Sequence, residues 1–71
     1  MELSNDLLKL TPREIQILQM TASGMTAREI AAHFSISPRT VEKYREEILE
    51  KLGCKNLSEA TATGVRTGII K

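Results

Sequence analysis

Apolar residues recur along the chain at spacings of three and four in separate runs, and no run alternates with a period of two. That is the mark of amphipathic helices rather than strands. In the first run the spacing turns Ile17, Leu18, Thr21 and Ala22 inward and leaves Ile15 partly exposed. In the second, Ile30, Ala31 and Phe34 face the core, and Ile36 plugs it from the turn that follows. In the third, Val41, Ile48, Leu49 and Leu52 form one stripe. The fourth is built on the small residues Ala60, Ala62, Gly64 and Val65, with Ile69 and Ile70 folding back. The expected fold is all-α, a compact four-helix bundle.

Helix start and stop signals agree with this division. Thr11-Pro12-Arg13-Glu14 reads as a capping box with proline at the first helical position, and Leu10 is placed to staple against Ile15. That helix is expected to run to about Ser23 and stop at Gly24. Thr26-Ala27-Arg28-Glu29 repeats the box. Ser37-Pro38 opens the longest segment, about 38–52, and Gly53 is suited to the left-handed turn that ends it. Asn56 or Ser58 caps the last helix, which reaches about Thr67 and stops at Gly68. Its small residues permit close approach of another helix, while Thr61, Thr63 and Thr67 are poor helix formers. Residues 1–9 read as a linker or lead-in, and 10–71 as one domain.

The second and third helices, joined by the tight turn at Ser35-Ile36, have the outline of a helix-turn-helix. The third is the longer, and the face opposite its apolar stripe is wholly charged: Arg39, Glu42, Lys43, Glu46 and Glu50. In such units the second helix of the pair enters the DNA major groove, about 12 Å wide, and a helix with its side chains fits there.

The motifs LTPRE at Leu10–Glu14, T-x-x-EIA at Thr26–Ala31, IS-x-x-TV at Ile36–Val41 and KLG at Lys51–Gly53 resemble the LuxR-type, GerE-like helix-turn-helix domain. Lys55-Asn56 follows in register, and the likeness runs without a gap from Leu10 to about Ile70. Each motif alone is weak; their combination is specific. The resemblance implies a fold of the winged-helix-like DNA-binding superfamily, without a wing, as in the output domain of bacterial response regulators and quorum-sensing regulators. It implies sequence-specific binding of double-stranded DNA in transcription regulation, with the third helix reading bases. By position the base readers are Arg39, Glu42, Lys43 and Glu46, and the phosphate contacts are Thr40, Tyr44, Lys51 and Lys55. The chemistry suits those roles. Arg39 or Lys43 can donate to guanine O6 and N7, Glu42 can accept from cytosine N4, and hydroxyls and ammonium groups suit phosphate oxygens.

The resemblance also implies that two copies meet through the fourth helix, about 57–67. Thr61, Thr63 and Thr67 stand where relatives are often more apolar, so that homodimer is expected to be weak. Tyr44 replaces the family's common His, and Arg45-Glu46-Glu47 stands where relatives often carry Lys or Asn. Acids beside phosphates oppose binding. The bland reading pairs Glu46 with Lys43 and Glu47 with Lys51 as solvated helix charges. The rival function is a protein–protein interaction module on the same fold that has lost DNA affinity.

Composition narrows the remaining classes. Net charge is only +1, with three basic residues against one acid after Leu52, so bulk charge does not announce a nucleic-acid partner. The only aromatics are Phe34 and Tyr44, which gives no platform for stacking single-stranded bases. Cys54 is alone, so no internal disulfide or cysteine-based zinc site is expected, and it reads as a small apolar turn residue. His33, near the end of the second helix, reads as an exposed polar residue, with a phosphate contact as the alternative, rather than a metal ligand. No nucleophile–base pair in a cleft and no phosphate-cradling glycine loop is apparent, so no enzyme, cofactor, metal or small-molecule substrate is expected. No membrane-length apolar run or signal sequence appears, and a cytoplasmic protein is expected, either an excised output domain or a free-standing small regulator.

Overall fold

Each of the four helices among the described residues begins on a side-chain cap. In the computed structural model, which describes residues 10–70, they are α1 (Pro12–Ala22), α2 (Ala27–Phe34), α3 (Pro38–Leu52) and α4 (Leu57–Thr67). Both capping boxes form. The Thr11 hydroxyl accepts from the Glu14 amide at 3.1 Å while Glu14 Oε1 accepts from the Thr11 amide at 2.8 Å, and Thr26 and Glu29 do the same. Ser37 caps α3, and Asn56, rather than Ser58, caps α4. The lead-in expected at residues 1–9 lies outside the described residues.

The helices meet around Leu10, Ile17, Leu18, Ile30, Ala31, Val41, Ile48 and Ala60, all buried. Phe34, Ile36, Leu49 and Leu52 are half-buried and pack against that cluster, and Ile15 is half-buried as its position implies. Ala22, expected inward, is exposed. It lies about 80° round α1 from Glu14, at the edge of the buried stripe, and the chain turns away at Ser23. Thr21, one residue earlier, stays half-buried.

Small residues in α4 do allow a close approach. Gly64 is buried, and a Cβ there would lie 2.6 Å from Ile70 Cδ1 and 3.3 Å from Leu18 Cδ2. Ile69-Ile70 folds back as expected: the Ile70 amide donates to Gly64 O at 3.0 Å, and Gln19 Nε2 donates to Ile69 O at 2.8 Å.

The least expected core member is Glu14, only 2% exposed. Its sequence role is a cap, but both carboxylate oxygens also accept from Lys51 Nζ, at 2.9 and 3.0 Å. That pair joins the first turn of α1 to the last turn of α3. Burial works against the charged form, but the Thr11 amide and the Lys51 ammonium outweigh it and hold the carboxyl below its ordinary range.

A lowered folded-state pKa means Glu14 stabilises the fold fully above the unfolded glutamate value of about 4.3, and the effect is lost as pH falls through the folded value. Glu14→Gln keeps a capping-box side chain but loses the charge. It should cost about 1–3 kcal/mol at neutral pH, with solvent at Lys51 screening part of the effect. Urea unfolding against pH checks this: the gap between wild type and variant should close in acid, and a gap independent of pH would contradict the ion pair's role.

Candidate nucleic-acid interface

The unit that presents the candidate surface is α2, a three-residue turn and α3. Residue 35 leaves α2 in the left-handed region, with φ 58° and ψ 43°, the one non-glycine residue to do so among those described. The turn is closed by the Ser35 amide donating to Ala32 O at 3.3 Å and the Ile36 amide to Ala31 O at 3.0 Å. Ser37 then starts α3: its Oγ accepts from the Thr40 amide at 3.1 Å and lies 2.9 Å from the Thr40 hydroxyl. Behind the turn the Arg13 guanidinium sits 4.4 Å above the Phe34 ring, tying α1 to the end of α2. His33 stands edge-on to Phe34 at 4.8 Å and is exposed, as expected for its position.

α3 divides cleanly by side. Val41 and Ile48 are completely buried. Arg39, Glu42, Lys43, Glu46 and Glu50 are exposed, so the four candidate base readers share one open face. The concavities along that face are surface grooves, one lined by Arg39, Glu42, Lys43 and Glu46 and a neighbouring one by Thr40, Lys43, Tyr44 and Glu47. A groove of charged side chains with a hydroxyl at its edge can hydrogen-bond an extended polar partner.

The other candidates are distributed differently. Thr40 and Tyr44 are half-buried at the flank of the exposed face, and the Tyr44 ring packs on the core. Lys55 is exposed just beyond the end of α3, and its amide donates to Glu59 Oε1 at 2.9 Å. Lys51 is set apart, its ammonium held by Glu14. The expected pairing of Glu47 with Lys51 is therefore not made, because Glu14 takes that cation from the core side. Glu46 and Lys43 are not paired either: among the described residues the ion pairs are Lys51–Glu14 and Arg45–Glu42.

Arg45 is the residue to which sequence reasoning gave no role. Its Nε donates to Thr21 Oγ1 at 3.3 Å and its Nη2 to Met25 O at 3.4 Å, which fastens the middle of α3 to the end of α1 and the following loop. The signal was available. Position 45 lies about 40° from Val41 around the helix, on the apolar side, where a charge needs a partner. Among the described residues no group of three or more His, Cys, Asp or Glu is placed to hold a metal ion.

The comparisons bear on the whole unit. The family model GerE, described as bacterial regulatory proteins of the luxR family, matches residues 8–63. The transcriptional regulatory protein FixJ of Bradyrhizobium diazoefficiens is 36% identical over 61 residues, covering 86% of this chain and 30% of FixJ. The quorum sensing-dependent transcriptional regulator VjbR of Brucella melitensis is 44% identical over 61 residues, 86% of this chain and 24% of VjbR. UhpA of Escherichia coli, a transcriptional regulatory protein, is 47% identical over 47 residues, 66% of this chain and 24% of its own. The chain thus spans between 24% and 30% of the length of these curated relatives. The solved structure of the transcription factor GerE superposes with a TM-score of 0.83 at 29% identity, covering 87% of this chain and 92% of that one.

The turn geometry yields one test. A β-branched residue at position 35 must enter the left-handed region against its own side chain, at a cost of about 1–2 kcal/mol. Ser35, with a Cβ of its own, already carries part of that cost, so Ser35→Val should lose stability in urea unfolding by a smaller amount, and Ser35→Gly should gain up to about 1 kcal/mol. A Ser35→Val variant as stable as wild type would show that the turn does not need this conformation.

Proposed function

The chain belongs to the luxR family of bacterial regulatory proteins, and from that membership we infer that it is a sequence-specific DNA-binding domain of a transcription regulator, with α3 in the major groove of a duplex. The family is one of DNA-binding transcription regulators, and this chain carries its helix-turn-helix fold. The observation that carries the placement of α3 is its uncovered face. Four turns of helix are anchored by Val41 and Ile48 and leave Arg39, Glu42, Lys43 and Glu46 exposed on one face.

In this reading Arg39 and Lys43 donate to guanine edges and Glu42 accepts from cytosine. Thr40, Tyr44 and Lys55 flank the helix and reach phosphate oxygens. Lys51 joins them only by leaving Glu14, whose buried carboxylate would then lose its cation, so its contribution is the smallest of that group. Binding is weak for one copy and needs two copies on paired half-sites, because one small module buries only about 600–1,000 Å² on DNA. The second copy meets the first along α4, where Val65 is 62% exposed. The function is binding rather than catalysis, and the compartment is the cytoplasm. Among the described residues no helix is long and apolar enough to cross a membrane.

A specific observation supports a second reading, a protein partner in place of DNA. Among the described residues neither Glu46 nor Glu47 has a cation within 4.0 Å, so α3 carries uncompensated acid.

Titration of duplex at rising salt separates the two. Duplex affinity should fall steeply with salt. Lys43→Ala should weaken binding by about 1–3 kcal/mol. Glu46→Lys should strengthen it, by replacing a repelled charge with an attracted one. Duplex affinity that is absent at low salt, or indifferent to both substitutions, would favour the protein partner.

A further inference from the structure

We infer that Arg45 is a positioning residue for base recognition: it holds Glu42 as the acceptor that selects cytosine, while Glu46 reads no base. The inference rests on the placement of α3 in the major groove given above.

The Arg45 side chain is 12% exposed, and two of its three nitrogens are engaged outside α3, by Thr21 Oγ1 and Met25 O. A guanidinium is a rigid planar fork, so fixing two corners fixes the third. That third corner, Nη1, lies 3.6 Å from Glu42 Oε2. The Glu42 side chain is 58% exposed, so its carboxylate stands in ion-pair reach of a fixed cation, without a hydrogen bond to it, and stays largely open to solvent. An ionised carboxylate has about four lone-pair sites, and this one keeps its capacity to accept.

Three consequences follow for recognition. First, an acceptor held by the body of the fold loses less side-chain freedom on binding than one free in solvent. Second, the Arg45 charge offsets that of Glu42 and reduces its repulsion from phosphates. Third, a fixed acceptor discriminates among major-groove edges. Guanine N7 and O6 and thymine O4 are themselves acceptors, and adenine sets its N7 acceptor beside the N6 donor. The adenine N6 donor is flanked by an acceptor on both sides, its own N7 and the paired thymine O4, whereas cytosine N4 has an acceptor, the paired guanine O6, on one side only. Glu46 lacks all of this: it is exposed, with no cation within 4.0 Å among the described residues. It enters the groove as a free negative charge and acts by repulsion.

The test is selection of bound sequences from a random duplex pool by the whole chain, repeated for Glu42→Gln, Arg45→Met and Glu46→Gln. Wild type should enrich cytosine in one column per half-site. Glu42→Gln and Arg45→Met should each reduce the cytosine preference in that same column by about fivefold or more, while the other columns keep their order. Glu46→Gln should leave the column unchanged and raise affinity for all sequences. If Arg45→Met fails to fold, Arg45→Lys carries the same expectation, since one ammonium cannot span Thr21, Met25 and Glu42 together. A purely structural Arg45 would lower affinity evenly and leave the column intact, which overturns the inference. So would a column that answers to Glu46→Gln. Enriched motifs with no column sensitive to Glu42 or Arg45 refute this inference alone. No enrichment and no salt-dependent duplex binding would instead refute the DNA-binding reading, and this one with it.

Discussion

A reading helix is useful only if the rest of the fold fixes where it lies, and here two cations on α3 do that against α1. Lys51 reaches Glu14 in the first turn of α1, and Arg45 reaches Thr21 in its last turn. As residue number rises along one helix it falls along the other, so α3 lies in the opposite sense along α1, joined near both ends of that shorter helix. Between these ties Ile48 is fully buried. The Glu14–Lys51 tie is the more constraining. A carboxylate that is 2% exposed needs its partners, and losing one leaves a charge in an apolar setting. Glu14 serves twice, as the returning half of the α1 capping box and as the socket for α3, so the start of one helix and the end of another are set by one side chain.

This arrangement divides the basic residues of α3 by task. Arg45 and Lys51 face inward and hold the helix. Arg39 and Lys43 are left on the open face, together with Glu42, Glu46 and Glu50. A net charge of +1 then has a plain meaning. The domain does not rely on a broad positive field, which attracts any duplex alike. On the proposed reading it presents the donors Arg39 and Lys43 with the acceptor Glu42, so wrong sequences meet like-polarity groups as well as missing contacts. Specificity built partly from repulsion costs affinity, which accords with the proposal that two copies bind paired half-sites.

Local chemistry made most of the fold legible in the sequence. Thr11 with Glu14, Thr26 with Glu29, Ser37 before Pro38 and the left-handed Gly53 act within a few residues of themselves, and each sits where the pattern placed it. The outward face of α3 was equally readable, because charges at helical spacing opposite Val41 and Ile48 have nowhere else to go. Pairings across long stretches of chain were not. Lys51 and Glu14 are 37 residues apart, and Arg45 and Thr21 are 24 apart. Local spacing put Arg45 on the apolar side without naming its partner, and it did not tell the inward Lys51 from the exposed Lys55 four residues on. The tie between Lys51 and Glu14 was therefore not foreseen, and Glu14 read as a cap alone. Ala22 misled for a simpler reason: it lies at the edge of the buried stripe, where the end of the helix decides.

The central claim is that the charged side of α3 meets base pairs while its apolar side holds the bundle. The most direct measurement is the change in backbone amide resonances of the isotope-labelled domain when duplex is added in dilute buffer. The account predicts that amides from Arg39 through Glu46 move most, with smaller shifts near Lys55 and little change at Ile17 and Ile30. Resonances from Arg39 through Glu46 that stay in place while others move, or that stay in place with any duplex, would contradict it.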